Sequence, residues 1–405
     1  MKALHPAKIL LPKTDDYTSW ACIACDQFTS EKEYWTELER QVKGKRTTLD
    51  LILPEIYLDE KTDERIARIN ENIRRYIKDD VFRELKDGFV LTVRSTPFVK
   101  RRIGLVAAID LDEYEYSKKS DALIRSTEGT IEERIPPRLK IRKDAEVEFP
   151  HVMVLFDDEK REILEELYKN RSSYKKMYDF DLNMGGGHIE GYFIGETDSV
   201  IKKFDALLDD ERLIKKYGKA DRIQFAVGDG NHSLATAKAH WNNVKQTLTP
   251  EEKSLHPAKY ALCEILNIYD EGIYFEPIYR LVFGVDKSAF LDGLKKIDAG
   301  NIEIYDGKET VSFSGIATLP EGIAATDAYI KGYIEKFGGA VDYIHGENNL
   351  KKLVSEKNGV GILFDKLKKE DLFKHVSSRG AFPRKTFSMG EGIEKRYYLE
   401  GRRIK

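Results

Sequence analysis

The sequence predicts a mixed α/β protein in which a sheet is flanked by helices. Segments that alternate apolar and polar residues at the strand period are followed by segments with apolar residues at helical spacing. Residues 91–94 and 103–109 read as neighbouring strands, and the connection between them contains Pro97, which favours an antiparallel pair. Strand–helix units together with hairpins indicate a sheet that has both parallel and antiparallel strands.

The clearest strand–helix unit covers residues 223–244. Ile223, Phe225 and Val227 alternate at the strand period, and a turn with two glycines follows them. Asn231 is expected to cap the next helix, whose buried face is formed by Leu234, Ala237, Trp241 and Val244. A helix that begins here points amide groups and the positive end of its dipole at the turn, where an anion is favoured.

Other elements follow from the same two periods. Residues 19–28 are expected to contain a short buried strand that ends at Asp26, and an acidic first turn predicts a helix from residue 31 onwards. We also predict strands at 151–156, 188–194, 260–266 and 360–364, a helix at 199–216 and a linker at 246–254. We expect either three regions, namely an N-terminal α/β region (1–120), a phosphate-binding core (121–285) and a C-terminal α/β region (286–405), or one integrated unit.

Composition narrows the class of protein. The chain has 405 residues, 34% charged and 41% hydrophobic, with a formal net charge of −3. This balance indicates neither a nucleic-acid nor a membrane partner, and it leaves the oligomeric state open. An odd number of cysteines favours a reducing, cytoplasmic location. Cys22 and Cys25 lack the second pair that a zinc site needs.

The glycine turn also supplies candidate chemistry. Asp229 is a candidate metal ligand or base, and His232 is a candidate proton carrier. The residues expected to hold the anion are Gly228, Gly230, Asn231 and Ser233. Ser233 lacks the Gly-x-Ser-x-Gly surroundings of an acyl-enzyme nucleophile. The alternative interpretation is a polar β-to-α turn with a capping asparagine.

An arginine-rich segment precedes the strand at 151–156. Arginine binds phosphate through a planar fork, and hydroxyl groups also serve phosphate oxygens. The candidate anion ligands are Arg125, Thr127, Arg134 and Arg138, and Glu128 is a candidate base or magnesium ligand. The alternative is a solvated loop in which these arginines pair with nearby carboxylates.

Two further segments combine glycine with cations. Gly185, Gly186 and Gly187 precede His188, where backbone amides can approach an oxyanion closely. Near the carboxyl terminus, Arg379 and Lys385 lie in a poorly periodic stretch that also contains hydroxyls. A mobile connection and a basic surface loop are the respective alternatives.

Several of these motifs together resemble the domain-of-unknown-function family DUF1015. The motifs are Gly-Asp-Gly-Asn-His at 228–232, Arg-x-Thr-Glu-Gly-Thr-Ile at 125–131, Glu-x-Pro-His at 148–151 and Phe-Glu-Pro-Ile at 275–278. The resemblance extends from Leu10-Leu11-Pro12-Lys13 and residues 24–28 to residues 395–399. The family looks distantly related to the ParB/sulfiredoxin-like superfamily, so the resemblance implies a core of that fold with N- and C-terminal elaborations.

The resemblance implies a phosphotransferase that interconverts free serine and O-phosphoserine with pyrophosphate, ATP or ADP as the phosphate partner. We expect Mg²⁺ at Asp229, and Glu128 or Asp26 as the base. Many relatives carry His-His-Arg where this chain has Asn231-His232-Ser233, and the missing arginine disfavours a bulky nucleotide. Two alternatives are a phosphoserine phosphatase and a ParB-type nucleotide-binding regulator. The regulator would need a helix-turn-helix module and a basic face, which the sequence does not indicate.

Overall fold

The computed structural model describes residues 3–24, 28, 31–57, 62–129 and 135–405, except for the side chain of Pro137. The chain forms two compact units. The first comprises Met1–Ile273, Val376–Gly380 and Glu391–Lys405, and the second comprises Tyr274–His375 and Ala381–Gly390. The boundary expected at residue 120 therefore falls inside the first unit, and the second unit begins at residue 274 instead of 286.

The first unit is built on a large mixed sheet, which confirms the predicted fold class. The strands of this unit are β1 (Leu4–His5), β2 (Ala7–Pro12), β3 (Cys22–Ile23), β4 (Phe82–Ser95), β5 (Arg102–Asp110), β6 (Tyr114–Glu115), β7 (Ile124–Ser126), β8 (Val147–Glu148), β9 (Met153–Phe156), β10 (Lys175–Asp181), β11 (His188–Ile194), β12 (Phe225–Asp229), β13 (Tyr260–Asn267), β20 (Tyr397–Tyr398) and β21 (Arg402–Arg403). Among the described residues the sheet has eleven strands, in the order β10-β11-β4-β5-β13-β9-β12-β7-β6, with β1 beside β5 and β2 beside β4.

The predicted hairpin is confirmed, since β4 and β5 are antiparallel with Val93 opposite Ile103. Two small antiparallel pairs, β3 with β20 and β8 with β21, complete the strands of this unit. The helices are α1 (Tyr17–Trp20), α2 (Lys32–Val42), α3 (Thr62–Lys78), α4 (Ile135–Asp144), α5 (Leu164–Lys169), α6 (Thr197–Ala206), α7 (Asp210–Tyr217), α8 (Asn231–Val244) and α9 (Pro250–Leu255).

Both faces of this sheet are buried. Alternate residues of β5 belong to two separate apolar clusters: Leu105 and Ala107 pack in one, Val106 and Ala108 in the other. The first cluster includes residues of α5, α6 and α8, and the second includes residues of α1 and α3. This two-sided burial explains why β5 is buried along its whole length.

The second unit contains an antiparallel sheet with packed helices. Its elements are β14 (Phe275–Phe283), α10 (Lys287–Leu294), β15 (Ile302–Tyr305), β16 (Thr310–Phe313), α11 (Leu319–Phe337), β17 (Ala340–His345), α12 (Glu347–Lys357), β18 (Val360–Phe364) and β19 (Phe387–Met389). The strand order is β16-β15-β18-β14-β17, with β19 also beside β14. Apolar residues of these strands and helices form the core of the unit. Helix α13 (Lys369–Arg379) contributes residues to both units.

Local hydrogen bonds account for three departures from the predicted elements. The expected strand at 19–28 includes a helical turn, because Asp16 accepts a hydrogen bond from the amide of Ser19. The expected linker at 246–254 contains α9, which begins with a capping box between Thr249 and Glu252. The expected helix at 199–216 is two helices, and Asp209 caps the second. Within the described residues, no helix has both the length and the apolar character that crossing a bilayer requires.

A buried histidine in α8 predicts acid sensitivity of the fold. Burial, with the positive charges of Arg142 and Lys405, lowers the pKa of His240 to about 4 from its ordinary 6.5. The unfolded chain therefore binds this proton more readily, and the free energy of unfolding should fall by about 2–3 kcal/mol between pH 6.5 and pH 4. Urea unfolding measured across this range should show a smaller fall for His240→Gln. An equal fall in the variant would contradict this origin.

Candidate functional site

The glycine turn after β12 has the predicted strand–turn–helix geometry. Phe225, Ala226 and Val227 are fully buried, and α8 begins directly after Gly230. Gly230 has a φ of +82°, and a Cβ at this position would lie 3.1 Å from Val152. A side chain is thus disfavoured here by both conformation and space.

Asn231 does not cap α8, which corrects the sequence-based prediction. The residue at the cap position is Gly230, and no side chain among the described residues caps the helix start. The Asn231 side chain is instead buried, and its Oδ1 accepts a 2.6 Å hydrogen bond from Ser126 Oγ. The first hydrogen bond within the helix runs from the Leu234 amide to the Gly230 carbonyl, so the three amides before it have no partner in α8.

Strand directions bring several polar groups to the same edge of the sheet. β7 is parallel to β12, with Ser126 opposite Val227, so the carboxyl ends of both strands meet there. β9 is antiparallel to β12, with Met153 opposite Asp229, so the chain enters β9 at this edge. The edge therefore collects residues that follow β7, residues that follow β12 and the residue His151, which lies just before β9.

Asp229 faces a nearly buried cation. Its Oδ2 lies 3.5 Å from Nζ of Lys395, whose side chain is 5% exposed, whereas the Asp229 side chain is 29% exposed. The Arg94 guanidinium donates hydrogen bonds to the carbonyls of Ile393 and Lys395, both at 2.6 Å. The backbone that carries Lys395 is therefore tied to β4, and the lysine is fixed beside the carboxylate.

Ser233, the third residue of α8, begins a chain of hydrogen bonds. Its Oγ lies 3.2 Å from Nε2 of His151, and Nδ1 of His151 lies 3.0 Å from the Tyr398 hydroxyl. The rings of His151 and Tyr398 meet edge to face at 5.4 Å between centroids. Tyr398 reaches this place because β20 pairs with β3, with Tyr398 opposite Cys22.

A cluster of buried charges links β4, β5 and β13 to the carboxyl-terminal segment. Arg396 lies 3.7 Å from the carboxylate of Glu264 and also contacts Glu400, and Arg102 lies 4.0 Å from Glu264. Burial opposes ionisation of Glu264, but the guanidiniums of Arg396 and Arg102 hold its pKa below the ordinary value. Arg94 is a third buried guanidinium of this cluster, and its hydrogen bonds go to backbone carbonyls.

Arg125 is not available to a ligand, contrary to the expectation from sequence. Its guanidinium is 4% exposed and forms a two-point ion pair with Asp221, at 2.8 Å and 2.5 Å. The Ser377 hydroxyl donates a 2.6 Å hydrogen bond to the same carboxylate. Thr127 is likewise engaged, since its hydroxyl donates to the Val227 carbonyl. Both side chains therefore fix β7 and its neighbours.

Of the other candidates in that segment, the structure describes Arg138 and Glu128 but not Arg134. Arg138 lies on α4, where the predicted irregular loop is helical, and its guanidinium pairs with Glu55. Arg134 and the candidate base Asp26 lie outside the described residues. Glu128 follows β7 and is partly buried, and its carbonyl accepts a 2.6 Å hydrogen bond from Ser126 Oγ.

His188 lies at the start of β11 and is held by carboxylates. Nδ1 lies 2.8 Å from Asp181 and Nε2 lies 2.9 Å from Asp179. Asp179, His188 and Glu190 form a group that could hold a metal ion, but Lys176 Nζ already lies 2.5 Å from Asp179 and 2.8 Å from Glu190. This lysine neutralises the carboxylates, so the group is explained by internal ion pairs.

Two of the three glycines before His188, Gly186 and Gly187, serve close packing. A Cβ on Gly186 would lie 2.1 Å from the Tyr397 hydroxyl oxygen, and one on Gly187 would lie 2.0 Å from the Ser95 carbonyl oxygen. The Gly186 carbonyl accepts a hydrogen bond from Arg94. The absence of side chains is therefore required by the neighbours of the loop.

The remaining candidates lie in different places. His232 is the second residue of α8, is partly buried, and its carbonyl accepts a hydrogen bond from Thr236. Arg379 is exposed at the end of α13 in the first unit. Lys385 belongs to the second unit, where its carbonyl accepts a 2.7 Å hydrogen bond from Arg280.

Sequence reasoning did not assign a role to His151, Lys395 or Tyr398. All three stood inside motifs that carried the family resemblance, at 148–151 and 395–399, but they served there only as markers. Their spacing gives no sign that they meet the turn at 228–233. The sequence feature that could have drawn attention to them is a histidine next to a predicted strand, together with a lysine and a tyrosine near the carboxyl terminus.

The family is shown by comparison with known proteins. A family model described as a protein of unknown function, DUF1015, matches residues 4–366. The chain belongs to the DUF1015 family. No curated protein matches the sequence.

Three solved structures are similar to this DUF1015 chain. A conserved hypothetical protein from Pyrococcus furiosus has a TM-score of 0.37 and 13% identity, over 72% of this chain and 93% of that one. A free serine kinase in complex with AMP has a TM-score of 0.38 and 10% identity, over 73% and 90%. Truncated SbnI from Staphylococcus aureus has a TM-score of 0.36 and 8% identity, over 70% and 82%. Similarity of this degree transfers no substrate to the chain.

Proposed function

We propose that this protein transfers a phosphoryl group between a small phosphate donor and the hydroxyl of free serine. The observation that carries the proposal is the start of α8, where Gly230 leaves the helix without a side-chain cap beside Asp229 and Lys395. Uncapped amides and the positive end of a helix dipole bind phosphate groups. The donor phosphate is therefore assigned to the turn at 228–233.

Phosphoryl transfer requires little covalent chemistry from a protein. The protein mainly aligns the reacting groups and neutralises their charge. The α8 amides would orient the phosphate oxygens, and the Lys395 ammonium would offset part of their charge. In the transfer, the bond from phosphorus to the bridging oxygen of the donor breaks and a bond to serine Oγ forms. The hydroxyl proton passes to a carboxylate, for which Glu128 and Asp26 are both candidates.

Mg²⁺ is proposed at Asp229. Magnesium is commonly held by one or two carboxylates, together with waters and substrate phosphates. Asp229 fits this pattern, because its carboxylate is partly exposed and lies next to the helix start that would hold the phosphates. When bound, the ion would neutralise charge on the donor.

Pyrophosphate is the donor that we favour over a nucleotide. Ser233 occupies the position at which the family resemblance implies an arginine, and it contacts His151. Arg125 and Arg138 do not take the place of that arginine as phosphate ligands, because each forms an ion pair with a carboxylate. The kinship with ParB/sulfiredoxin-like serine kinases, inferred from sequence motifs, supports serine as the acceptor.

The reverse reaction provides the test. Purified protein incubated with O-phosphoserine, orthophosphate and Mg²⁺ should form pyrophosphate and free serine, which ³¹P NMR and amino-acid analysis detect. Matched incubations without orthophosphate, or with EDTA, should form no pyrophosphate. Free serine and orthophosphate accumulating without pyrophosphate would instead identify a phosphomonoesterase. The phosphotransferase would be rejected if the protein neither forms O-phosphoserine from serine with pyrophosphate or ATP nor converts O-phosphoserine to serine.

A further inference from the structure

Ser233, His151 and Tyr398 form a continuous hydrogen-bonded chain that ends at the helix start. The chain has one link of 3.2 Å and one of 3.0 Å. All three side chains are partly buried, so they are neither in bulk water nor cut off from the turn. Ser233 belongs to the turn that is proposed to hold the phosphate, whereas His151 and Tyr398 have no role in the proposed transfer so far.

The direction of the hydrogen bonds in this chain follows from the tyrosine. Burial raises the pKa of the Tyr398 hydroxyl above its ordinary value, and the nearby acidic groups of Cys22, Glu55 and Asp229 act in the same direction. The hydroxyl therefore keeps its proton. Among the described residues, its only hydrogen-bond partner is Nδ1 of His151, so donation to Nδ1 leaves no buried hydrogen unsatisfied.

This direction fixes the histidine tautomer. A neutral imidazole has one nitrogen that donates and one that accepts. If Nδ1 accepts from Tyr398, the proton is on Nε2, and Nε2–H donates to Ser233 Oγ. The Ser233 oxygen is then an acceptor toward His151, and its own hydrogen remains available for another acceptor.

The position of Ser233 shows where that hydrogen can go. Ser233 is the third residue of α8, so its amide is one of the three that precede the first hydrogen bond within the helix. Its side chain lies in the first turn, where an anion would be held. The opposite arrangement, with Nδ1–H donating to Tyr398 and Nε2 accepting from serine, would activate Ser233 as a nucleophile.

We propose that Ser233 donates its hydroxyl hydrogen to a phosphate or pyrophosphate oxygen at the start of α8, and that His151, held by Tyr398, is a positioning residue that sets this direction. Ser233 thus supplies one neutral hydrogen bond to the anion. The inference rests on the proposed function only in taking the bound anion as the phosphoryl donor.

Binding of inorganic pyrophosphate tests the serine directly. By calorimetry, Ser233→Ala should weaken pyrophosphate binding at least about tenfold, since it removes a hydrogen bond to a charged group. Ser199→Ala is the matched control, because Ser199 is also the third residue of a helix whose cap makes no side-chain hydrogen bond, and it is exposed. The control should bind pyrophosphate like the wild type. Equal binding by Ser233→Ala would overturn the proposal.

Two substitutions of the histidine separate positioning from packing. His151→Gln places an amide N–H near the position of Nε2 and should bind pyrophosphate within about threefold of wild type. His151→Asn places its amide near Nδ1 and should lose about tenfold, as Ser233→Ala does. Equal loss in both variants would indicate that the ring acts only by filling space, and the positioning role would be wrong.

The tautomer has a spectroscopic signature that does not depend on ligand or turnover. In ¹⁵N-histidine-labelled protein above pH 8, the His151 signals, assigned by their loss in His151→Gln, should report a proton on Nε2. Tyr398→Phe should shift them toward a mixture of tautomers. A proton on Nδ1 in the wild type, or phosphate covalently attached to Ser233 in mass spectra after incubation with pyrophosphate, would overturn the proposal. If the protein does not phosphorylate free serine, the proposed function is rejected. The pyrophosphate-binding and NMR measurements would still test the role of Ser233 and His151.

Discussion

Asp229→Asn should reduce phosphoryl transfer on the order of 100-fold or more, with most of the loss in kcat. The substitution removes the carboxylate that we assign to Mg²⁺ and that faces Lys395 at 3.5 Å. Initial rates of pyrophosphate formation from O-phosphoserine, measured over a range of Mg²⁺ concentrations, check this. A rate within threefold of wild type at saturating Mg²⁺ would remove Asp229 from the mechanism.

A structural cause for that loss can be separated from a chemical one. Asp229→Asn also removes a carboxylate from beside the nearly buried Lys395 ammonium, which lowers the free energy of unfolding. The double variant Asp229→Asn/Lys395→Met should recover stability, because it removes both members of the pair, without recovering turnover. Asp63→Asn is the control, since Asp63 also pairs with a lysine, at 2.6 Å, but is 75% exposed. It should change neither quantity.

Asp221→Ala should lower the free energy of unfolding by about 3–5 kcal/mol, because it leaves the Arg125 guanidinium buried without its carboxylate. The ion pair is only 4% and 6% exposed, and the Ser377 hydroxyl loses its acceptor as well. Urea unfolding monitored by far-ultraviolet circular dichroism measures this change. Glu37→Ala, which breaks the exposed pair with Arg40, should leave the free energy of unfolding nearly unchanged.

The same pair also tests the correction of Arg125. Arg125→Met/Asp221→Leu replaces both charges with apolar groups and should recover most of the stability that Asp221→Ala loses. Turnover of the double variant, measured below its unfolding transition, should stay within a few-fold of wild type. Loss of turnover in a stable double variant would instead show that Arg125 acts on the phosphate.

Much of the fold could be predicted from the sequence because its signals are local. The strand at 225–229, the glycine turn and the buried face of α8 follow from residues within one turn or one strand of each other. The β4–β5 pair was also predictable, since its two strands are adjacent in the chain. The helix α9 in the expected linker was missed although its capping box is local, because the polar composition of 246–254 outweighed that signal.

The site was predicted only in part, because its partners are remote in the sequence. Asn231 is a residue type that often caps helices. Its side chain is instead hydrogen-bonded to the Ser126 hydroxyl, 105 positions away, and Gly230 occupies the cap position. Arg125 fits a phosphate clamp by residue type, but Asp221, 96 positions away, holds its guanidinium. The histidine that contacts Ser233 and the tyrosine that holds it are 247 residues apart.

The sequence by itself therefore determined the α/β class, the glycine turn and the helix start that favours an anion, since these depend on backbone periodicity and on residues without side chains. Tertiary structure alone decided which charges are available. Lys395 is the cation beside Asp229, whereas Arg125 forms an ion pair with Asp221 and Arg138 forms one with Glu55. The physical reason is that a buried charge requires a partner, and the order of strands in the sheet selects that partner.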